Sequence, residues 1–304
     1  MLWYEALDEK IGQFLPDLEM AHDEPMRQHT SFRIGGPARR MAFPKSGAQV
    51  VLLCSLAEEA GVRPLIIGNG TNLLAADGGL DTLVVDLSRQ FNAIRVLEDG
   101  VLEADAGVLL AHLAEQARQL SLTGLEFAHG IPGTVGGAVC MNAGAYDGEM
   151  RQVVTEVRAL FPDGVRTLTG EALDFGYRHS VFSSHPEAVV LSARVRLTPG
   201  DSVAIRERMD ELRQKRRKSQ PLEWPSAGST FKRPTGNFAG TLIEQCGLKG
   251  FTVGGAQVSE KHAGFVINKG GATCGDVLAV IEGVQETVYK KTGVRLEPEV
   301  KIVR

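Results

Sequence analysis

The sequence predicts an α+β protein of two domains, and three observations support this class. Its 304 residues are enough for about two domains with a sizeable core. From residue 46 to residue 120 the apolar patterns place several successive strands between two helices, which favours mixed layers over the alternation of a Rossmann domain. Pro221 and Pro225 interrupt the chain after a long helical pattern, so we place the domain boundary between residues 200 and 225.

In the first domain, hydrophobic periodicity distinguishes helices from strands. Ser46 is a suitable N-cap for one helix, and Gly61 is a suitable residue just beyond its end. Helices are predicted at residues 2–15, 46–60 and 107–120. Strands are predicted at residues 65–67, 83–85, 93–96, 101–104, 153–161 and 188–197, with a turn at Asp163-Gly164.

The second domain is predicted to be a smaller α/β unit. A helix over residues 202–218 leads into it and ends in a cluster of Arg and Lys, which suits the negative end of the helix dipole. This basic end either only balances the helix dipole or also faces an anionic ligand. Further helices are predicted at residues 239–246 and 275–292, and strands at residues 264–268 and 296–303.

Composition argues against several classes of protein. The formal net charge of −4 argues against nucleic-acid binding. Cys54, Cys140, Cys246 and Cys274 form no C-x-x-C pattern or His/Cys cluster, so we expect no metal site and a reducing compartment. The first residues lack the basic start of a signal peptide, and no apolar run approaches the roughly eighteen residues of a membrane span. We expect a cytoplasmic protein, a monomer, whose partners are small molecules.

The most informative stretch is residues 129–146, HGIPGTVGGAVCMNAGAY. It contains five glycines and has no charged side chain from Gly130 onward, so it is poor material for a helix or a strand. Glycine lets backbone N–H groups approach a ligand closely, and successive N–H groups in turns form nests that bind phosphates. The alternative is a tight connection between packed strands, and residue chemistry alone favours neither.

A second glycine loop follows the predicted strand at residues 65–67. The segment GNGTN over residues 68–72 has no Lys-Ser/Thr pair after it, so it is not a P-loop. Leu73 stands where the dinucleotide fingerprint needs its third glycine. Each loop alone is a weak signal, but together they suggest a ligand with two phosphates held between two backbone cradles.

Seven segments resemble, in order, the bacterial UDP-N-acetylenolpyruvoylglucosamine reductase family. They are SFRIGGPAR (31–39), IIGNGTNLL (66–74), GIPGTVGGAVCMNAGAY (130–146), YRHS (177–180), SAGSTFKRP (226–234), IEQCGLKG (243–250) and LEPEV (296–300). The resemblance covers the chain from about His29 onward. It implies a vanillyl-alcohol-oxidase (PCMH)-type FAD-binding domain over residues 1–200, with α/β subdomains at about 1–88 and 89–200. A C-terminal α/β substrate-binding domain would follow over residues 201–304.

The resemblance also implies the cofactors. The two glycine loops would cradle the diphosphate of FAD, and NADPH would be a co-substrate. Carried over position by position, the FAD contacts are Ile67, Gly68, Asn69, Gly70, Thr71, Asn72, Gly130, Ile131, Pro132, Gly133, Thr134, Gly136, Gly137, Ala138, Asn142, Gly144 and Ala145.

Two of the three residues with implied catalytic roles are ordinary when taken alone. Arg178 in YRHS would usually be a surface or ion-pair residue, but the resemblance places it at the substrate carboxylate, which a planar guanidinium matches. Ser229 would usually be a loop serine or an N-cap, and no G-x-S-x-G elbow suggests a hydrolase. The resemblance makes Ser229 a proton donor to the substrate α-carbon, helped by a cation such as Lys218.

The third catalytic candidate is one of two carboxylates. Glu297 and Glu299 would point to one face of an extended strand, and by chemistry either could serve. Pro298 argues against a central strand position. The family pattern selects Glu299, paired with Arg178, as a stabiliser of the enolate that follows hydride addition.

Substrate contacts implied by the resemblance are Tyr177, Lys218, Arg233 and His262. One class of relatives has an inserted tyrosine that closes over the UDP group. Here the chain runs through residues 180–186 to the next strand with no room for it, so it resembles the shorter class. Arg233 stands where some relatives have asparagine, which leaves its role open.

The implied activity is NADPH-dependent reduction of UDP-N-acetylglucosamine enolpyruvate to UDP-N-acetylmuramate in peptidoglycan precursor synthesis. One alternative is another FAD-linked oxidase or dehydrogenase on the same flavin domain. The other is a UDP-sugar or flavin nucleotide sensor without turnover. Reoxidation of the reduced protein by the enolpyruvyl sugar, and consumption of NADPH, distinguish the three.

Overall fold

The computed structural model describes residues 2–304, which form two compact units. Unit 1 contains the described residues up to Ala21, together with Arg40–Asn69 and Thr82–Lys215. Unit 2 contains His22–Arg39, Gly70–Asp81 and Arg216–Arg304. Two early segments, His22–Arg39 and Gly70–Asp81, thus belong to unit 2. The predicted division into 1–200 and 201–304 places both of them in the first domain. The functional assignment of those two ranges stays a prediction.

Contacts between distant parts of the chain explain why an early segment joins unit 2. The strand Leu73–Ala75 pairs in parallel with Lys301–Val303. The carboxylate of Asp77 accepts hydrogen bonds from the N–H groups of Cys274 (2.8 Å) and Gly275 (3.2 Å) at the start of a long helix. Hydrophobic periodicity reports local structure, so it gives no signal for these pairings.

Residues 2–304 form eight α-helices. They are α1 (Trp3–Phe14), α2 (Gly47–Glu59), α3 (Leu110–Gln119), α4 (Val135–Met141), α5 (Val181–Ser184), α6 (Ser202–Ser219), α7 (Ala239–Gln245) and α8 (Cys274–Thr292). Short 3-10 helices lie at Met26–Gln28, Met150–Gln152 and Gly170–Leu173. The predicted helices are confirmed, and the Ser46 hydroxyl caps α2 by accepting the Gln49 N–H at 3.3 Å.

Helix α4 corrects the prediction that the glycine-rich stretch is irregular. It forms across the Gly136-Gly137 pair, although glycine is a weak helix former. A Cβ at Gly136 would lie 2.9 Å from the Cβ of Ala106, so only glycine allows this close packing. Tertiary contact therefore outweighs local propensity here.

Nineteen strands are formed by the same residues. They are β1 (Glu19–Pro25), β2 (Pro37–Phe43), β3 (Leu65–Ile67), β4 (Leu73–Ala75), β5 (Leu80–Asp86), β6 (Ile94–Val96), β7 (Val101–Asp105), β8 (Leu122–Thr123), β9 (Gly144–Ala145), β10 (Gly148–Glu149), β11 (Val154–Phe161), β12 (Gly164–Thr169), β13 (Val189–Arg196), β14 (Thr198–Pro199), β15 (Ser226–Ser229), β16 (Thr252–Val253), β17 (Ala256–Val258), β18 (Phe265–Asn268) and β19 (Lys301–Val303).

Most predicted strands are confirmed, and the last one is too long. The strand predicted at residues 296–303 is reduced to β19, because Pro298 lacks the N–H that a ladder needs. Strand β12 was not predicted. It pairs antiparallel with β11 across a tight turn in which Gly164 adopts a φ of +125°.

Unit 1 is built on two sheets. One has the antiparallel order β12-β11-β13-β7-β6, and the other has the order β1-β2-β5-β3, with β3 parallel to β5. Of the second sheet, unit 1 contains all of β3 and the greater part of β2 and β5. Leu53, Leu83, Leu102 and Leu113 are fully buried in the single core cluster of this unit. Each such side chain contributes about 1.5–3 kcal/mol through burial. Strand β3 leads directly into Gly68.

Unit 2 packs α8 against an antiparallel sheet of order β15-β18-β17-β16. Val277, Val280, Val284 and Val288 repeat at helical spacing along α8 and are fully buried. Thr273 and Asp276 form a capping box at its start, and Gly293 ends it with a φ of +73°. This sheet carries Ser229 at the end of β15.

Candidate active site

The two glycine loops meet within unit 1. The side-chain amide of Asn69 donates to the carbonyl oxygen of Pro132 at 2.6 Å. A Cβ at Gly68 would lie 2.2 Å from Oγ1 of Thr134 and 3.1 Å from its Cβ, so the loops approach as closely as glycine permits. The two loops that the sequence suggested as phosphate cradles are therefore in direct contact.

This contact region has backbone donors that the protein does not use. Among residues 2–304, no acceptor is bonded to the N–H groups of Gly68, Asn69, Gly133, Thr134 and Gly137. Thr134 also makes no side-chain cap to α4. No acidic side chain occurs in residues 130–146. A set of open N–H groups beside a segment without acidic side chains fits the diphosphate of FAD.

Other predicted cofactor residues have internal partners. The N–H groups of Gly136 and Ala138 donate to Ala106 and Thr134 at 2.8 Å each, and that of Ile131 donates to Ala128 at 3.0 Å. A Cβ at Gly144 would lie 2.7 Å from the Gly148 carbonyl oxygen, within the β9–β10 hairpin that also contains Ala145. These residues shape the loops through packing.

Three predicted cofactor residues of the loop at 68–72 lie in unit 2, namely Gly70, Thr71 and Asn72. Gly70 adopts a φ of +57°, and a Cβ on it would lie 1.9 Å from the carbonyl oxygen of His29. The Gly70 carbonyl accepts the Ser31 N–H at 3.1 Å. Asn72 donates from Nδ2 to the Glu299 carbonyl at 3.0 Å. The N–H groups of Gly70 and Thr71 donate to no acceptor among the described residues.

We expect Gly68→Ala to weaken FAD binding by about tenfold to a hundredfold, because overpacking costs about 1–3 kcal/mol. Thr134 is buried and β-branched, so it has little room to move away from the new methyl group. The measurement is the FAD dissociation constant by fluorescence titration. Gly12→Ala is the control, since a Cβ there has no heavy atom within 4 Å. Wild-type affinity in Gly68→Ala would contradict the close-approach argument.

Arg178 lies in unit 1 at the tip of a tight turn. Gly176 and His179 exchange backbone hydrogen bonds of 3.0 and 3.3 Å on either side of Tyr177 and Arg178. Arg178 has a φ of +52°, a left-handed conformation that is strained for a residue with a Cβ. Such strain is concentrated at functional sites. The Asp174 carboxylate contacts Nε2 of His179 at 3.0 Å and supports the turn.

Ser229 lies in unit 2 and is exposed at the end of β15. Its hydroxyl makes no hydrogen bond to any of residues 2–304, so it is available to a ligand. The next residue, Thr230, is 2% exposed and fixes the strand. Its N–H donates to the Gly264 carbonyl at 2.8 Å, and its Oγ1 accepts the Val266 N–H at 3.0 Å.

Glu299 lies beside this strand within unit 2. Its N–H donates to the Thr230 carbonyl at 2.8 Å, and Phe231 forms an isolated bridge with Pro298. Ser229 and Glu299 are therefore brought together by backbone pairing. Sequence reasoning missed Thr230, which holds both segments, because a single threonine beside Ser229 has no distinctive pattern.

The structure distinguishes Glu297 from Glu299, the two carboxylates between which residue chemistry could not choose. Glu297 has a side chain that is 69% exposed and forms an ion pair with Lys232. Glu299 is half-buried. The two do not share an exposed strand face, because residues 296–300 are irregular. The environment of Glu299 is the one expected of a site residue.

The other substrate candidates have distinct surroundings. Tyr177 is 58% exposed, and the guanidinium of Arg178 lies 5.4 Å from its ring centre. In unit 2, Lys218 is exposed near the end of α6. The guanidinium of Arg233 stacks at 3.8 Å on Phe238, which is itself 58% exposed.

His262 in unit 2 is held as a neutral donor. Its Nδ1 accepts the Gly264 N–H at 3.1 Å, which leaves the proton on Nε2. Burial lowers the pKa of this imidazole, so it stays uncharged near neutral pH. In unit 1, burial and then the charge of Arg213 likewise lower the pKa of His129, next to Gly130.

Residues 2–304 contain no group of three or more His, Cys, Asp or Glu side chains able to hold a metal ion. None of the helices formed by this part of the chain combines the length and apolar composition that a bilayer-spanning segment needs.

Comparison with known proteins identifies two domain families in the chain. Residues 38–169 match an FAD binding domain family, and residues 220–303 match the UDP-N-acetylenolpyruvoylglucosamine reductase C-terminal domain family. The mixed α/β fold with an FAD-binding domain and a separate C-terminal domain is thereby confirmed.

Relatives share nearly the full length of the chain. The UDP-N-acetylenolpyruvoylglucosamine reductase of Agathobacter rectalis is 50% identical, with 96% of each chain covered, and that of Pediococcus pentosaceus is 50% identical, with 98% of each covered. The crystal structure of the Thermus caldophilus enzyme superimposes with a TM-score of 0.79 at 33% identity, covering 94% of this chain and 99% of that one. At this identity over nearly its full length, the chain belongs to the UDP-N-acetylenolpyruvoylglucosamine reductase family.

Proposed function

We propose that this protein reduces UDP-N-acetylglucosamine enolpyruvate to UDP-N-acetylmuramate with NADPH, through bound FAD, in the synthesis of peptidoglycan precursors. The observation that carries the proposal is the 50% identity, over 96% of the chain, to a reductase of this name. The open N–H groups of unit 1 and the Ser229–Glu299 pair of unit 2 support it.

The flavin would be held by backbone groups. Gly68, Asn69, Gly133, Thr134 and Gly137 provide N–H donors for its diphosphate, and the absence of acidic side chains from residues 130–146 avoids repulsion. When bound, FAD supplies the redox chemistry, taking hydride from NADPH and releasing it to the terminal vinyl carbon of the substrate.

The substrate carboxylate is assigned to Arg178. A guanidinium forms two parallel hydrogen bonds with a carboxylate and keeps its charge at working pH. As hydride reaches the vinyl carbon, the electron pair of the double bond moves towards this carboxylate and gives an enolate. Arg178 would hold that charge as it develops, which is the condition for lowering the barrier.

Proton delivery is assigned to Ser229, with Glu299 beside it. The Ser229 Oγ–H would protonate the α-carbon of the enolate, and solvent would then return a proton to the oxygen. Its free, exposed hydroxyl supports this role. The carboxyl group of Glu299, in its protonated form, would donate a hydrogen bond to the enolate, and the backbone N–H bond from Glu299 to Thr230 keeps it next to the serine.

Four residues are proposed to contact the rest of the substrate. Lys218 suits the diphosphate as an exposed point charge, and the Nε2–H of neutral His262 suits an acceptor oxygen. Tyr177 and the Arg233–Phe238 stack present exposed aromatic rings. We also propose that the protein acts as a monomer in the cytoplasm. Its four free cysteines support a reducing compartment.

The test separates the two half-reactions. The FAD-loaded protein is mixed with NADPH without oxygen, and then with UDP-N-acetylglucosamine enolpyruvate. We expect the flavin absorbance to bleach and then to return, with formation of UDP-N-acetylmuramate. Return with oxygen but not with the sugar would overturn the proposal in favour of another oxidase. Absence of bleaching would indicate a binding protein without turnover.

A further inference from the structure

Helix α4 holds both ends of the turn that carries Arg178. Before the turn, Nδ2 of Asn142, the C-cap of α4, donates to the Gly176 carbonyl at 2.9 Å. After the turn, Oγ of Ser180 donates to the Cys140 carbonyl at 2.8 Å. That carbonyl lies in the last turn of α4, where the helix itself provides no partner. The turn therefore has two side-chain attachments to one helix end.

The amide of Asn142 is fully committed to the protein. The residue is 1% exposed, and its Nδ2 also donates to a carboxylate oxygen of Glu149 at 2.8 Å. Its Oδ1 accepts the Arg151 N–H at 2.9 Å. An amide has two N–H donors, so none remains for a flavin. This arrangement favours an indirect role over the direct cofactor contact that the family resemblance implies.

The attachments explain how the turn keeps a strained conformation. Arg178 has a φ of +52°, and a non-glycine residue keeps such a value only where its surroundings impose it. Ser180 is fully buried, and Gly176 is fixed by its bonds to Asn142 and His179. Without the Asn142 bond, the Gly176 carbonyl at the entry to the turn would lose its side-chain donor.

We infer that Asn142 is a positioning residue that directs Arg178 towards the substrate carboxylate. Helix α4 carries the open N–H group of Gly137 near its start and the Arg178 turn at its end. A helix is stiff over this length, so it keeps the guanidinium in register with the cofactor cradle. The inference rests on the proposed function, because it needs a substrate carboxylate for Arg178 to hold.

The variant for the test is Asn142→Gly. Asn142 itself has a φ of +41°, which glycine adopts without strain, so the change removes the amide and leaves the backbone conformation accessible. Stopped-flow absorbance of the FAD-loaded variant gives the rate of reduction by NADPH and the rate of reoxidation by the enolpyruvyl UDP-sugar. We expect reoxidation to fall roughly tenfold to a hundredfold more than reduction, through misplacement of Arg178.

A matched control and a second variant isolate the bond to Gly176. In Glu149→Gln, the new amide oxygen still accepts from Asn142, and we expect both rates to resemble wild type. Ser180→Ala removes the second attachment, and we expect it to slow reoxidation selectively as well. If Asn142→Gly does not fold, Ser180→Ala is used for the test in its place. In an Arg178→Ala background, Asn142→Gly should slow reoxidation no further, because the two act on one interaction.

Equal losses in both half-reactions would overturn the positioning role, as would an additive effect of Asn142→Gly in the Arg178→Ala background. Either result would leave the proposed function intact. Failure of the wild-type protein to be reoxidised by the enolpyruvyl sugar would instead overturn the proposed function, and the role of Asn142 with it.

Discussion

Ser229→Ala is expected to retain reduction of the flavin by NADPH and to slow the second half-reaction by about 10²–10⁴, the usual contribution of a positioned acid. The hydroxyl is the only group that the substitution removes, and it bonds to no acceptor or donor among residues 2–304. Its loss should therefore cost the fold little. Without this acid, protonation of the α-carbon no longer draws hydride transfer forward, so the net return of oxidised flavin would wait for a proton from solvent.

The measurement is rapid-mixing absorbance of the flavin in each half-reaction. Ser226→Ala is the control, because Ser226 lies in the same strand and the hydrogen bond from the Ser31 hydroxyl is accepted by its backbone carbonyl, at 2.6 Å, and not by its side chain. Alanine retains that carbonyl. A collapse of NADPH-dependent reduction in Ser229→Ala would mean that Ser229 has a structural role and is not the acid.

Glu299→Gln should lower turnover by up to about 10²–10³, the usual cost of losing one transition-state stabiliser, because an amide N–H is a far weaker acid than a carboxyl O–H and bonds the enolate less strongly. The backbone contacts of Glu299 with Thr230 and Asn72 survive the change, so the loss would report the side chain alone. We expect most of the effect in kcat, because the interaction strengthens only as the enolate forms.

Glu297→Gln is the matched control two residues away. Its carboxylate pairs with Lys232 at the surface, and exposed ion pairs contribute little to stability. Turnover close to wild type is expected. Equal effects of the two substitutions would show that the choice of Glu299 is wrong.

Local elements were predictable because their signals are local. The strand over residues 65–67 has the observed bounds, and the Ser46 cap and the start of α6 are also correct. Helix α4 was missed because its stability comes from Gly136 packing on Ala106, which is distant in sequence. The place of Gly70–Asp81 in unit 2 was missed for the same reason, since it depends on pairing with residues near the C-terminus.

The residues of the candidate site could be predicted from the sequence, but their arrangement in space could not. Glycine content pointed to the two cradles, but the Asn69–Pro132 bond that joins them is a tertiary contact. Residue chemistry could not choose between Glu297 and Glu299, because the irregular backbone around Pro298 decides which of them is exposed. Asn142 appeared only as a cofactor contact, since its link to Gly176 joins residues far apart in sequence.

The visible absorption spectrum of the purified protein, incubated with FAD and freed of unbound cofactor, tests the central claim most directly. The claim is that the open N–H groups of the two contacting loops bind a flavin dinucleotide. We predict the bands of oxidised flavin, in equimolar amount to the chain, and their loss when NADPH is added without oxygen. A colourless protein that retains no FAD would contradict the account.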